Sequence, residues 1–260
     1  MEDVYTQHGT NEIIDLFNDA HVFSFPKPTR LITQLLNLAT SSDDDIILDF
    51  FAGSGATADA IMKLNKQDNF NRKFILVQLP EPTGRTDFPT IADICKERVR
   101  RVINKLNQED EGKLPLNDAA PQDRGFKVFK LAPSNFKIWN SEPPKGEAEL
   151  AKQLELHINH ILPGRSQEDI LTELLLKAGF PLTVKIERLT LAGKTVFSIA
   201  EGAMLICPEH ELTLELIKEM AGRKPQRVIC LDEGFAGNDQ LKTNAALIFE
   251  ANGVLKFQTV

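Results

Sequence analysis

Asp49-Phe50-Phe51-Ala52-Gly53-Ser54-Gly55 is the stretch whose residue types and spacing best suit ligand chemistry. Two glycines one residue apart let a turn bring the backbone close to a ligand. Set between a strand and a helix, such a turn also aims the helix's first N–H groups at whatever is bound. Gly53, Gly55 and Ala58 fit the dinucleotide pattern G-x-G-x-x-A. Asp49, four residues ahead of Gly53, separates the ligands that this pattern allows. Its carboxylate repels a pyrophosphate and attracts an ammonium group, such as the one on the methionine end of S-adenosylmethionine. S-adenosylmethionine is therefore favoured, and a nicotinamide-dependent oxidoreductase is disfavoured. A tight strand-to-helix turn with no ligand is the plain alternative.

Other stretches carry weaker chemistry. His157 and His160 stand three apart on an expected helix, a spacing seen in metal sites, but no third ligand is evident. Arg98, Arg101 and Lys105 share a helix face that suits DNA phosphates, or more simply a solvated face. Asp232 to Asp239 places Phe-Ala-Gly after a strand without a second glycine, which reads as an ordinary turn capped by Asn238 or Asp239. Cys207 and Cys230 sit in apolar strands and read as inert core residues.

The elements that position the glycine turn follow from hydrophobic periodicity. Thr10 to Phe17 predicts a helix, and Phe23-Ser24-Phe25-Pro26-Lys27-Pro28 an extended or turning stretch. Thr29 reads as the cap of a helix through Leu38. Ile46 to Phe51 and Lys73 to Leu79 are continuous apolar runs, as in strands buried on both faces of a parallel sheet. Thr57 to Leu64 and Thr90 to Leu106 predict helices between and after them. Helix and strand alternate, which is the βαβ signature of an α/β fold.

Asn107 to Arg124 reads as a linker, and Phe126 to Leu131 as a strand. Ser141 to Gly146, with Pro143-Pro144, is the candidate domain boundary. Beyond it, helices are expected over 149–161, 166–178, 212–220 and 239–251. Strands are expected over 184–191, 195–199, 204–207, 227–231 and 254–259, the first two joined as a hairpin at Ala192-Gly193-Lys194.

The chain has 260 residues, of which 42% are apolar and 26% charged, an ordinary globular composition. Its formal charge of −7 argues against a stand-alone basic clamp on nucleic acid. Three scattered cysteines without a C-x-x-C pair give neither a disulfide framework nor a cysteine zinc site. No apolar run is long enough for a membrane helix, and Met1 to Tyr5 is no signal peptide, so a soluble cytoplasmic protein with no membrane partner is expected.

Three motifs in order carry a family resemblance: Phe25-Pro26-Lys27-Pro28, then Ile47 to Gly55, then Asn71 to Gln78. Together they resemble the C-terminal part of a DNA adenine-N6 methyltransferase, above all the modification (Mod) subunit of type III restriction-modification systems. The resemblance extends through Arg165 to Asp169, Lys177 to Leu182 and Leu231 to Asp239. It implies a Rossmann-like methyltransferase sheet, present in part, over residues 1–140, and a smaller C-terminal α/β domain over 141–260. The implied cofactor is S-adenosylmethionine. The implied partners are duplex DNA, the restriction (Res) subunit and a second Mod chain. By position, Pro26, Lys27 and Pro28 match a segment that helps bind the methionine end of the cofactor. Asp49, Phe51, Gly53, Ser54 and Gly55 match the main cofactor motif. Asp49 would hold the ammonium, and Phe51 or Phe25 would face the sulfonium as a cation–π partner. Core packing is the alternative for either ring.

Two departures stand out. Ala56 precedes Thr57 where many relatives have two threonines, and Gln78 stands where many have an acid for the ribose hydroxyls, with Glu81 a second candidate. The [D/N]-P-P-[aromatic] loop these enzymes need is absent, since the one Pro-Pro pair is flanked by Glu142 and Lys145. In this permuted class the loop precedes the cofactor motif, and the 48 residues before Asp49 do not contain it. The resemblance thus implies the C-terminal part of a longer enzyme, with no catalytic residue of its own and little or no methyl transfer alone. An assembly module for Mod dimerisation or Res contact is the rival reading.

Overall fold

The computed structural model describes residues 3–111, 122–137, 146 and 161–260. They form two compact units, Met1–Phe126 and Lys127–Val260. The Ser141–Gly146 break, apart from Gly146, lies outside the described residues, as does the expected helix over 149–161 with His157 and His160, apart from Ile161, which forms an isolated bridge with Phe136.

The first unit runs α1 (Thr6–Phe17), α2 (Thr29–Ala39), β1 (Ile46–Asp49), α3 (Ala56–Asp68), β2 (Lys73–Leu76) and α4 (Ile91–Asp110). β1 and β2 are parallel, with Ile46 opposite Lys73 and Asp49 opposite Leu76. α3 lies between them in sequence, as a parallel pair requires a crossover. It is buried on most sides. Ala58 and Met62 pack on Val99, Val102 and Leu106 of α4. Ala60, Ile61 and Leu64 pack on Leu36 of α2 with Ile47 and Phe74. Thr90 caps α4, its hydroxyl accepting the Asp93 N–H while Asp93 returns the bond.

Three expectations need correction in this unit. Both strands were expected to be buried on two faces, yet burial alternates along each. Ile47, Phe74 and Leu76 meet the helices, whereas Ile46, Leu48, Ile75 and Val77 are exposed. The helices cover one face of this two-stranded sheet, and that fixes the alternation. Thr29 does not cap α2. Pro28 holds the cap position, and Thr29 is the first helical residue. The long helix also runs beyond Leu106 to Asp110, into the stretch read as a linker.

The second unit is a five-stranded mixed sheet of order β3-β4-β5-β6-β7. α5 (Gln167–Lys177) precedes it, with Ser166 and Asp169 forming the capping box. β3 (Ile186–Leu191) and β4 (Lys194–Ile199) make an antiparallel hairpin. Ala192 and Gly193 at its tip have φ of 45° and 75°, the left-handed pair of a type I′ turn. β5 (Met204–Cys207) is antiparallel to β4, and parallel to β6 (Arg227–Cys230), which is parallel to β7 (Lys256–Thr259). Helices α6 (Leu214–Gly222) and α7 (Asp239–Ala251) connect them. One sheet face, with Val196, Leu205, Cys207 and Val228, packs on α6 and α7. The other, with Phe197, Ile199, Met204 and Ile206, packs on α5. β5 is accordingly buried at every residue.

Phe126 to Leu131 is not a strand. Its apolar and basic residues do not keep a period of two, since Val128 and Phe129 are adjacent, it pairs with no strand among the described residues, and Val128, Phe129 and Leu131 are exposed. Among the described residues no helix is long and apolar enough to cross a membrane.

Candidate functional site

β1 ends at Asp49, and the chain turns through Phe50–Gly55 into α3. Asp49 organises that turn. Its Oδ1 accepts the Phe51 N–H at 3.0 Å and its Oδ2 the Thr57 hydroxyl at 2.5 Å. The carboxylate is thereby oriented from both sides, and each oxygen keeps further acceptor capacity. Gly53 and Gly55 have φ of 54° and 81°. A left-handed backbone costs other residues roughly 1–2 kcal/mol. At Gly55 space is short as well: a Cβ would stand 3.1 Å from Cys95 Sγ and 3.2 Å from the Cys95 carbonyl oxygen.

Gln78 braces the turn from beyond β2. Its Oε1 accepts the Gly53 N–H at 2.7 Å, and its Nε2 donates to the Leu79 carbonyl at 3.1 Å. Glu81 is exposed, and its backbone carbonyl accepts the Ile91 N–H. Ser54 is buried and receives a hydrogen bond from Arg98.

The Phe23–Pro28 strap precedes α2. Pro26 and Pro28 are buried and Lys27 is exposed. The Pro26 carbonyl lies so close to α1 that a Cβ on Gly9 would stand 2.2 Å from its oxygen. Thr29 is held by Glu12 of α1, whose Oε1 accepts its N–H at 3.1 Å and its hydroxyl at 2.7 Å. This carboxylate serves as the anion at the N-terminus of α2.

Phe25 is 85% exposed and Phe51 83%, so neither ring is packed in the core of the described residues. Phe51 leans on Phe50 at 5.2 Å between centroids. Phe25 also carries a left-handed φ of 59°, a strain that tends to persist at functional sites. The ring nearest the glycines is one that sequence reasoning passed over. Phe23 Cζ is 3.4 Å from where a Gly53 Cβ would stand. Its signal was alternation with Phe25 just ahead of the two prolines.

The basic face of α4 is corrected in part. Arg98 is fully buried and bonds Asp59, Glu12 and Ser54. Arg101 pairs with Glu97 at 2.7 Å, donates to the Leu16 carbonyl at 2.9 Å and lies over the Phe17 ring. Lys105 alone of the three is exposed. Burial pushes the Cys95 thiol beside Gly55 up to about 11, so it is no thiolate at neutral pH. In the second unit Asn238 caps α7, accepting the Leu241 N–H at 2.9 Å. Cys207 and Cys230 are both buried there. No group of three or more His, Cys, Asp or Glu residues suited to a metal ion is found among the described residues.

Comparison with known proteins shows what the chain is similar to. Residues 2–83 match the family model described as DNA methylase. The Mod subunit of the type III restriction-modification enzyme EcoP15I, from Escherichia coli, is 31% identical over 94% of this chain and 36% of its own length. The EcoPI Mod subunit of Escherichia phage P1 is 29% identical over 95% of this chain and 38% of its own length. The StyLTI Mod subunit of Salmonella typhimurium is 39% identical over 48% of this chain and 19% of its own length. The chain thus spans little more than a third of the relatives it matches along nearly its whole length. Residues 2–83 thus match the DNA methylase family model, and over nearly all of its length the chain is similar to the Mod subunits of type III restriction-modification enzymes.

Proposed function

We propose that this chain supplies the S-adenosylmethionine half of a site that methylates adenine N6 in duplex DNA within a type III restriction-modification system. The oriented Asp49 carboxylate at the mouth of a left-handed glycine turn is the observation that carries this reading. The residues fit the cofactor. A half-buried carboxylate with spare acceptor capacity suits its ammonium. Gly53 leaves half-buried backbone without a side chain at the turn, Gly55 lets the turn close against Cys95, and the exposed Phe25 and Phe51 rings offer faces to a cation.

When bound, the cofactor supplies an activated methyl group on its sulfonium sulfur. The chain's own residues bind and orient it. Asp49 holds the ammonium, and Thr57 and the Phe51 N–H keep that carboxylate aimed. Pro26, Lys27 and Pro28 close over the methionine end. Ser54 stiffens the turn from inside, and Gln78 sets the Gly53 backbone from the ribose side. The amine that receives the methyl must lose a proton, and a [D/N]-P-P-[aromatic] loop would accept its hydrogen bonds. The sequence contains no such tetrapeptide, so in this reading the loop comes from polypeptide outside these 260 residues. β1, α3 and β2 would then form part of a Rossmann-like sheet, residues 1–140 the cofactor part, and the whole enzyme would work in the cytoplasm.

The assembly reading applies to the other end of the chain. The second unit closes its own core on both sheet faces. That independence favours a separate role for residues 141–260, in Mod dimerisation or in contact with the Res subunit.

Calorimetric titration of S-adenosylmethionine into this chain tests the reading. Micromolar binding, lost in Asp49→Ala, is expected. Equal binding by the variant, or binding of NAD in preference, overturns it.

A further inference from the structure

Two side chains outside the cofactor motifs join the two stretches that carry them. Arg98 of α4 is fully buried. Its Nη1 donates to Ser54 Oγ, inside the glycine turn, at 3.1 Å. Its Nη2 donates to Glu12 Oε2 at 2.9 Å. Glu12 in turn holds Thr29, the residue that follows Pro28, through the N–H and hydroxyl bonds already described. Asp59 of α3, also fully buried, accepts from Nε and Nη2 at 3.1 and 2.8 Å. Lys63 stands 2.8 Å from its other oxygen. One guanidinium therefore reaches the turn, the strap's anchor and α3 together.

We propose that Arg98 and Glu12 are positioning residues that fix the Phe23–Pro28 strap against the glycine turn. The inference rests on reading both stretches as cofactor-binding. Three observations carry it. A buried ion pair is weak evidence for stability, because well-packed apolar residues of similar volume often hold helices as well. What the arginine adds is a rigid planar fork with donors in fixed directions. Here those directions end on the turn and on the strap's anchor. Second, the strap is pinned sterically where Pro26 meets Gly9, so the Glu12–Thr29 bonds set its remaining freedom. Third, Phe25 is held exposed in a left-handed backbone. Such strain persists only where the surroundings over-determine it.

Amide hydrogen exchange on the full chain tests this, with wild type, Glu12→Gln and the milder Thr29→Val, which removes only the hydroxyl. Glu12→Gln is expected to speed exchange about tenfold over residues 23–31 and to a lesser degree over 52–57, with β1, β2 and the second unit unchanged. Thr29→Val is expected to give a smaller change confined to 23–31. The Kd for S-adenosylmethionine should rise about tenfold in Glu12→Gln, within the usual range of coupling between sites. Unchanged exchange over 23–31, or equal acceleration across the whole first unit, overturns the inference. The second result would mean a merely structural pair. Failure of the wild type to bind cofactor would overturn the proposed function instead, and the ligand-free exchange comparison would still decide the positioning role.

Discussion

Gly9→Ala should destabilise the protein although it improves a helix. In an open helix interior, alanine in place of glycine gains about 1 kcal/mol. Here the added Cβ would stand 2.2 Å from the Pro26 carbonyl oxygen, 2.9 Å from its carbon and 3.0 Å from the Lys27 carbonyl carbon. Carbon–oxygen contacts settle at about 3.3 Å or beyond, so α1 and the strap must part by about 1 Å. All three neighbours are backbone, and no side chain can swing aside. Forced overpacking of this kind costs about 1–3 kcal/mol. Net of the helix gain, the expected loss is about 1 kcal/mol. The displaced strap also lengthens the Thr29–Glu12 bonds, so cofactor affinity should fall with stability. Gly222→Ala is the control, since it lies at the end of α6 with nothing within 4 Å of the new carbon. It should be neutral or slightly stabilising. Urea unfolding followed by circular dichroism measures both. A Gly9→Ala protein as stable as Gly222→Ala would refute the reasoning.

Three further expectations concern thiols, acid and capping. Burial raises the Cys95 and Cys207 thiols to about 11 and Cys230 well upward, so Ellman's reagent should count no reactive thiol at pH 8 until denaturant is added; rapid native labelling would contradict this. Lys96 and then Thr90 hold Asp93 down at about 2, and Lys66 and then Arg124 hold Asp110 at about 2. Their folded values lie below the unfolded value of about 3.9, so their contribution is present above about pH 4 and is lost as pH falls toward about 2. Asp110→Asn should weaken that acid dependence, and an unchanged acid titration would count against it. Ser166→Ala removes the α5 capping box and should cost about 1 kcal/mol, seen as faster amide exchange in the first turn of that helix and not in α6.

Strong local signals translated directly into structure. Asp49 through Gly55 is the strand-to-helix turn that its glycines require, and Ser166 with Asp169 is the cap that its spacing promised. The hairpin at Ala192-Gly193 followed from turn chemistry alone. What stayed hidden depends on partners distant in sequence. Arg98, Arg101 and Lys105 look alike on a helical wheel. Arg98 is buried because Asp59 and Glu12, 39 and 86 residues away, converge on it. Gly9 carried no positive signal, since a helix-interior glycine shows only its cost until the Pro26 carbonyl is seen against it. The apolar runs of β1 and β2 announced strands but not how many faces other layers would cover. Phe126 to Leu131 mixes apolar and basic residues as a strand can, but Val128 and Phe129 break the two-residue period, and a ladder also needs a partner that composition does not reveal.

The borrowed cap of α2 has a consequence for the order in which the protein forms. α2 has no capping side chain of its own, and the carboxylate at its first residue comes from Glu12, 17 residues earlier. That carboxylate is itself held by Arg98, 86 residues later in the chain. Contacts of such span carry the largest loop-closure entropy and form late. During synthesis α1 and α2 therefore leave the ribosome well before their lock exists, and the strap stays loose until α4 docks. Late contacts act mainly on how fast a structure opens. The Glu12–Arg98 pair should thus govern how long the strap and the glycine turn stay locked together more than the speed at which they come together.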